Sequence, residues 1–497
     1  MNTANQNISP GVAGDDFVAS AIIRGKIIDS DLMTFGGRGD GDFRFQSPDP
    51  QKLIDLLPLG HPGKMADLYA LSFSDILDYL EELGRRLDLD SNPHLQKAVK
   101  GSYMTAPTTP SIVEYCYRAL RTAFRREVIT EMAEQTVGIK YLEGWVPTTL
   151  VDGRTAHIRA FGSRQLHIVA GNAPMISALT IARNAITRSD TIIKSPSNDP
   201  FTALAIVHTM CDMAPDHPLT KHISVAYWKG GDEKFESAFY QPHNIEKIVA
   251  WGGLASVKHV TKYIQPGLEL ISLDPKRSIS IIGEQACASD EALREAGRRL
   301  AIDGGAMNQA GCVNARVAYV LSGSDDDGVE VARKLGQYTY DALVTLPEHM
   351  STKPKAIDKE LKSHVEAIRL QEDWYDVIGG DDDEGAVIVS LLPEPVGFAT
   401  RLDSRTINIV PVDSMDEVLR ACDAYTQTVG IFPEALKDEL KDQLPLYGAQ
   451  RIVSLGYATT TNISLPQDSI EPMRRACKWI VNEQSVPEVV SPIWPPV

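Results

Sequence analysis

The spacing of apolar residues changes along this chain, and each change predicts a different kind of element. Over 64–92 and 111–138 apolar positions recur at helical intervals, as in MADLYALSFSDILDYLEELGRRL, which predicts amphipathic helices. GWVPTTLVDGRTAHIRAFG then alternates polar and apolar residues on both sides of Asp152-Gly153. An Asp-Gly pair between alternating runs predicts a β-hairpin, because the tight turn needs backbone angles that Gly adopts at little cost. From residue 165, short β-branched runs alternate with helical stretches. LHIVA (166–170), TIIK (191–194), HISVA (222–226), IEKIVAW (245–251) and SISIIG (278–283) read as strands, with 175–187, 200–214 and LASVKHVTKYI as helices between them. Such alternation predicts an α/β fold with a parallel, doubly wound sheet. A second α/β segment follows, with helices near 289–302, 327–344 and 415–425. Its strands are expected at 316–321, 386–392, 406–411 and 428–432.

The polar stretches carry less. GGRGDGDF (36–43) resembles part of a dinucleotide fingerprint, but no strand–turn–helix context surrounds it, and it reads as a flexible loop. The acidic runs Asp325–Asp327 and Asp381–Glu384 read as solvated loops between elements, so no metal site is expected. The formal net charge of -17 over 497 residues argues against binding to a nucleic-acid backbone. A small anion in a local basic pocket stays compatible with it. The six cysteines are widely spaced, with neither a CxxC pair nor a zinc-finger arrangement, which excludes a disulfide framework. The first residues lack the basic end and apolar stretch of a signal peptide, and no run approaches the ~18 apolar residues of a membrane span. The expectation is a soluble cytoplasmic protein.

Four local patterns carry chemistry. AGNAP (170–174) follows a strand, where the amide of Asn172 could face a developing oxyanion; alone, Asn172 would be read as a turn residue or helix cap. IIKSPSN (192–198) ends the next strand, and Lys194 lies where parallel strands meet a ligand crevice. In IVAWGGLASVKHV (248–260), Gly252 and Gly253 separate a strand from a helix and would let backbone approach a pyrophosphate. GGAMNQAGCVNARVAYV (304–320) places Cys312 among small residues before a strand, as a nucleophile needs for substrate access. Cys287, in GEQACASDEALREAG just before a helix whose positive end could lower its pKa, is the rival nucleophile.

Taken together and in order, these stretches resemble the aldehyde dehydrogenase superfamily over about 150–460. RAFGSRQLHIVAGNAPMISALTIARNAITRSDTIIKSPSN follows that superfamily's Asn-containing segment and Lys-Pro-Ser-Glu turn. AWGGLASVK stands at its Phe-Thr-Gly-Ser-Thr cofactor turn, and MNQAGCVNAR at its nucleophile segment. Within the superfamily, HIVAGNAP, KSPSND, YGAQRIVSLG and PMRRACKWI are similar to LuxC-type acyl-CoA reductases. The resemblance implies a Rossmann-type cofactor domain, an α/β catalytic domain and a small oligomerisation hairpin and tail. The expected boundaries are 1–143 for an N-terminal helical region of the cofactor domain, 144–162 for the hairpin, 163–288 for the NAD(P)-binding domain, 289–458 for the catalytic domain and 459–497 for the tail. It implies Cys312 as nucleophile and Asn172 as oxyanion donor together with the Cys312 backbone N–H. Lys194, Ser195, Ser197, Asn198, Trp251, Gly252 and Gly253 are the implied cofactor contacts.

Two departures shape the expected reaction. Ser272, in LISLDPKRS, stands where hydrolytic members carry a general-base Glu, and a Ser does not readily activate water. Asn198 replaces the Glu of the Lys-Pro-Ser-Glu turn and would not repel a 2′-phosphate, which favours NADPH over NADH. The Glu-Ile-Phe-Gly-Pro segment is missing, with Arg401, Asp403 and Arg405 near its place. The expected activity is NADPH-dependent reduction of an acyl thioester, as acyl-CoA or on an acyl carrier, to an aldehyde. An oxidative aldehyde dehydrogenase and a non-catalytic subunit are the alternatives. The resemblance further implies a homodimer or homotetramer and an acyl-transferring partner enzyme.

Overall fold

The computed structural model describes residues 17–36 and 43–485. Two seven-stranded sheets form its frame. The first has the spatial order Glu269–Leu273, Lys247–Trp251, Arg164–Ile168, Asp190–Lys194, Ile223–Ala226, Ala21–Ile23, Lys26–Ile28. Its first five strands are parallel and its last two antiparallel. Every residue of Arg164–Ile168, Asp190–Lys194 and Ile223–Ala226 is buried, as expected for strands covered on both faces. From Arg164–Ile168 the chain first builds the sheet in one direction and then, at Lys247–Trp251, in the other. The crevice beyond the carboxyl ends of Ile168 and Trp251 is therefore the topological switch point, where such sheets bind ligands.

The second sheet runs Tyr375–Gly379, Ala386–Ser390, Thr406–Pro411, Ala315–Val320, Arg277–Ile282, Thr426–Phe432, Arg451–Ser454. Only Tyr375–Gly379 is antiparallel to its neighbour. Arg277–Ile282, expected from its sequence position to belong to the first sheet, hydrogen-bonds between Ala315–Val320 and Thr426–Phe432 at the centre of the second. The chain thus crosses between sheets at 274–276, ahead of the expected boundary at 288/289.

The Asp152-Gly153 hairpin forms as expected. Gly153 has φ +85° and donates its N–H to Leu150 O at 3.0 Å. Val146–Thr149 and Thr155–Phe161 pair in it, and Lys478–Glu483 adds a third antiparallel strand beside Thr155–Phe161. The segment expected as a tail from 459 is more than that. Met473 and Cys477 are buried in the largest core cluster, beside helix Met175–Thr187. The N-terminal region is not wholly helical, since Ala21–Ile23 and Lys26–Ile28 extend the first sheet. Leu32–Gly36 pairs with Arg44–Pro48 on either side of GGRGDGDF, of which residues 37–42 lie outside the described residues. Of the acidic runs, Asp325 caps helix Asp326–Val344 by accepting from Gly328 N, and Glu384 accepts from the N–H groups of Gly380 and Asp382. No described helix is long and apolar enough to cross a membrane.

Candidate active site

Three strand ends of the first sheet place the first three motifs side by side. Ile168 pairs in register with Lys194 on one flank and with Ala250, just before Trp251, on the other. AGNAP and KSPSN then pack directly on each other. A Cβ on Gly171 would collide with the Asn198 amide and the Pro196 ring, so only Gly lets the two loops touch. Lys194 is buried, lies 5.7 Å from the Tyr227 ring centre and 5.8 Å from that of Trp228, and has no ion pair among the described residues. Burial pulls its pKa down to about 8, with the charge of Glu236 acting in the opposite direction. Ser195 Oγ and Trp251 Nε1 are buried without a partner among the described residues. Gly253, capping helix Leu254–Val260, has open space where a Cβ would stand.

The fourth motif comes from the second sheet and is tightly built. Met307, Asn308 and Gln309 all have left-handed backbone, with φ of 53°, 53° and 64°. Three consecutive non-Gly residues there store strain that side-chain bonds must hold. Gln309 Nε2 donates to Ala315 O and Thr406 O at 2.9 Å each, and its Oε1 accepts from Thr406 N at 2.9 Å. Asn308 Oδ1 accepts from Thr352 N at 2.8 Å. Asn314 Nδ2 donates to Asp303 O and Ala306 O, and its Oδ1 accepts from Gly311 N. Ser278 Oγ donates to Cys312 O at 2.7 Å and accepts from Thr428 N at 3.1 Å.

One bond joins the two halves. Asn172 Nδ2 donates to Ala310 O at 3.0 Å, two residues before the nucleophile. A side-chain amide has two N–H donors, so one is left for a substrate oxygen. The structure therefore brings Asn172 and Cys312 together, with Lys194 and the Trp251–Gly253 turn at neighbouring strand ends. Ser197 and Asn198 lie half-buried in the same loop cluster.

Cys312 is half-buried. Burial pushes its thiol pKa up and the charge of Asp468 adds to this, while the Gln427 amide, the charge of Arg316 and the Cys312 backbone N–H act against it. Cys287, the rival thiol just before a helix, lies against the core of the second sheet. Burial, with Glu284 adding to it, raises its thiol to about 11. The three residues near the missing Glu-Ile-Phe-Gly-Pro place are engaged by other protein groups. Arg401 pairs with Glu360 at the surface, Arg405 is buried with its guanidinium on Leu343 O, and Asp403 faces Arg316.

Residues 68–479 match the family model described as acyl-CoA reductase (LuxC). The chain belongs to that family. Among curated relatives of this LuxC-family chain, the long-chain acyl-protein thioester reductase of Vibrio harveyi is 23% identical over 439 residues, covering 81% of this chain and 89% of that one. The protein of the same name from Photorhabdus laumondii is 26% identical over 359 residues, covering 71% and 70%. Among solved structures, an NADP-dependent glyceraldehyde-3-phosphate dehydrogenase from Bacillus halodurans complexed with NADP superimposes with a TM-score of 0.70. It is 11% identical, and the match covers 94% of this chain and 100% of that one. Aldehyde dehydrogenase 21 from Physcomitrella patens also gives a TM-score of 0.70, at 13% identity, with 94% and 98% covered. These likenesses show the aldehyde-dehydrogenase fold.

Sequence reasoning missed Asp468, whose charge acts on the Cys312 thiol in this LuxC-family protein. Asp468 accepts from Gln427 Nε2 at 2.5 Å. Ser272, expected to stand where hydrolytic members carry a Glu, hydrogen-bonds Asp274. Asp274, Gln427 and Asp468 are each far from Cys312 in sequence, and no local pattern marks them.

Proposed function

We propose that this chain reduces an acyl thioester, as acyl-CoA or on an acyl carrier, to the aldehyde with NADPH through an acyl-Cys312 intermediate. The observation carrying this reading is the Asn172–Ala310 hydrogen bond, which joins the oxyanion donor to the nucleophile loop across two sheets. In the first step Cys312 Sγ bonds to the acyl carbon and the thioester's carbon–sulfur bond breaks. The proton that Cys312 loses is balanced by the one the departing thiol gains. The free N–H of Asn172 and the Cys312 backbone N–H offset the oxyanion charge, each for about 3–4 kcal/mol.

The residues at the switch point fit a dinucleotide. Among the described residues, Lys194 is a buried cation with no ion-pair partner and Ser195 Oγ lacks a partner, and the backbone at Gly253 is open. Lys194, Ser195, Ser197, Asn198, Trp251, Gly252 and Gly253 would hold it, and Asn198 in place of a carboxylate favours the 2′-phosphate of NADPH, with NADH as the lesser donor. Reduced nicotinamide, when bound, supplies the electron pair for the acyl group. The chain keeps that group on Cys312 and, with Ser272 in place of Glu, offers water no activating base there. The relatives' names favour a long-chain acyl group held as a thioester on a protein. The exposed edge strand Lys478–Glu483, with Ile480 and Val481 open to solvent, is the surface for a homodimer or homotetramer.

Acyl-CoA substrates of graded chain length, assayed with NADPH and NADH, test the reading. NADPH-dependent aldehyde formation, with radiolabelled acyl group trapped on Cys312, is the expected result. Near-native thioester reduction by Cys312→Ala, or acid formation from aldehyde and NADP⁺ without added thiol, would overturn it.

A further inference from the structure

We propose that the small cavity between strand Arg164–Ile168, helix Met175–Thr187 and the segment around Met473 binds one monatomic anion of chloride size, held by Arg183 with Thr180, His167 and Trp251. The cavity measures about 20 Å³, room for one water-sized or halide-sized ligand and too little for a phosphate or a carboxylate. Five of the residues that line it each carry a buried polar atom without a partner among the described residues. These are His167 Nδ1, Thr180 Oγ1, Arg183 Nε, Asn184 Oδ1 and Trp251 Nε1. Buried polar groups in a folded protein are paired almost without exception, so five such atoms around one small cavity point to a ligand.

The charge of Arg183 decides between an anion and a water. Arg183 is buried and has no ion pair among the described residues. Its guanidinium donates only to neutral acceptors, to Ile463 O at 3.3 Å and to Gln467 Oε1 at 3.4 Å, and lies 6.0 Å from the Trp251 ring centre. Two other buried arginines of the same half, Arg164 and Arg188, are paired with Glu246 and Glu143. Burial pulls the Arg183 pKa down to about 10, with no acidic group acting against it. A buried cation without a counter-charge is costly, and an anion in the cavity supplies one.

The remaining polar atoms suit an anion. Arg183 Nε and Trp251 Nε1 can only donate, and the Thr180 hydroxyl turns to do so. His167 Nε2 faces both an acceptor, Gln165 Oε1 at 2.9 Å, and a donor, Asn184 Nδ2 at 3.0 Å. Either neutral tautomer therefore keeps a partner at Nε2, and Nδ1 is free to carry the proton and donate. Asn184 Oδ1 is the one fixed acceptor, because Asn184 Nδ2 donates to Thr180 O at 2.7 Å. Trp251 ends strand Lys247–Trp251 just before the Gly252–Gly253 turn, and Met473 and Ala476 form another wall. A bound anion thus ties the strand that leads into the cofactor turn to the helix after Asn172 and to the C-terminal segment.

The test uses the full chain without substrate, so its outcome is separate from that of the thioester-reductase reading. Chloride or bromide replaces gluconate at constant ionic strength while the melting temperature is followed, and crystals grown in bromide are examined for anomalous scattering. A saturating rise of about 2–4 °C with either halide, and a bromide peak beside Arg183 Nε, are the expected results. Thr180→Val, which removes a donor at little change of shape, is expected to raise the halide midpoint about tenfold. Arg183→Met is expected to abolish the halide effect; should it fail to fold, Thr180→Val alone carries the comparison. A melting temperature indifferent to halide overturns the inference, even where crystals show a bromide peak. So does an ordered water in the cavity with no anomalous peak, or a halide midpoint unchanged in Thr180→Val.

Discussion

The two loops that meet at Asn172 and Ala310 are held in opposite ways. On the nucleophile side, Gln309 and Asn314 spend their amides on backbone groups, and left-handed residues are locked in place before any ligand arrives. On the cofactor side, Ser195 and Trp251 keep polar atoms without partners among the described residues, and the backbone at Gly253 is open. The difference teaches which part of the reaction tolerates adjustment. A covalent nucleophile works only at one angle to its substrate, so its loop is built in advance. A dinucleotide brings its own hydroxyls and phosphates and can complete the site that receives it.

That contrast can be broken most sharply at Cys312. Cys312→Ala is expected to lower thioester reduction on the order of a thousandfold or more and to abolish acyl labelling, while leaving NADPH binding by fluorescence titration intact. Asn172→Ala should cut kcat by about 10²- to 10³-fold with little change in cofactor KM, measured by steady-state kinetics. Gln309→Ala, which takes the Gln309 donor from Ala315 O and Thr406 O in the interior, should lower stability by about 2–3 kcal/mol in urea unfolding. No substitution at Gly253, where a Cβ meets open space, should cost comparable stability.

The cofactor side predicts smaller, pH-dependent effects. Burial sets the Lys194 pKa at about 8, below the usual lysine value, so its charge is present below that pH and lost above it. Cofactor KM should therefore rise several-fold between pH 7 and 9, a rise that Lys194→Met removes by making KM high throughout. Asn198→Glu should shift the NADPH-to-NADH preference by only a few-fold, because that side chain is half exposed and its charge is screened.

The elements legible in the sequence are those with extreme environments. Strands 164–168, 190–194 and 406–411 are buried along their whole length, and the short apolar or β-branched stretches in or beside them, such as LHIVA and TIIK, make them legible despite polar residues at their ends. Tyr375–Gly379 and Arg451–Ser454, half-buried at the edges of the second sheet, show no such run and were not foreseen. Arg277–Ile282 was recognised as a strand, but alternation along a chain does not say which sheet a strand joins; only its hydrogen bonds to Ala315–Val320 and Thr426–Phe432 do. The site divides similarly. Cys312, Asn172 and Lys194 sit in compact motifs, whereas Ser278, which bonds Cys312 O, reaches it only through tertiary folding. Asn308 and Gln309 stand within the motif, yet their left-handed backbone leaves no mark on residue type.

The contact at Gly171 has a consequence for anyone redesigning this enzyme. The loop that carries Asn172 and the loop that carries Asn198 share one van der Waals surface, with no room for a methyl group between them. A change of cofactor preference engineered at Asn198 will thus be epistatic with the oxyanion donor. Double-mutant combinations across Gly171 should depart from additivity, and improved nicotinamide selectivity will be traded against turnover unless both loops are redesigned together.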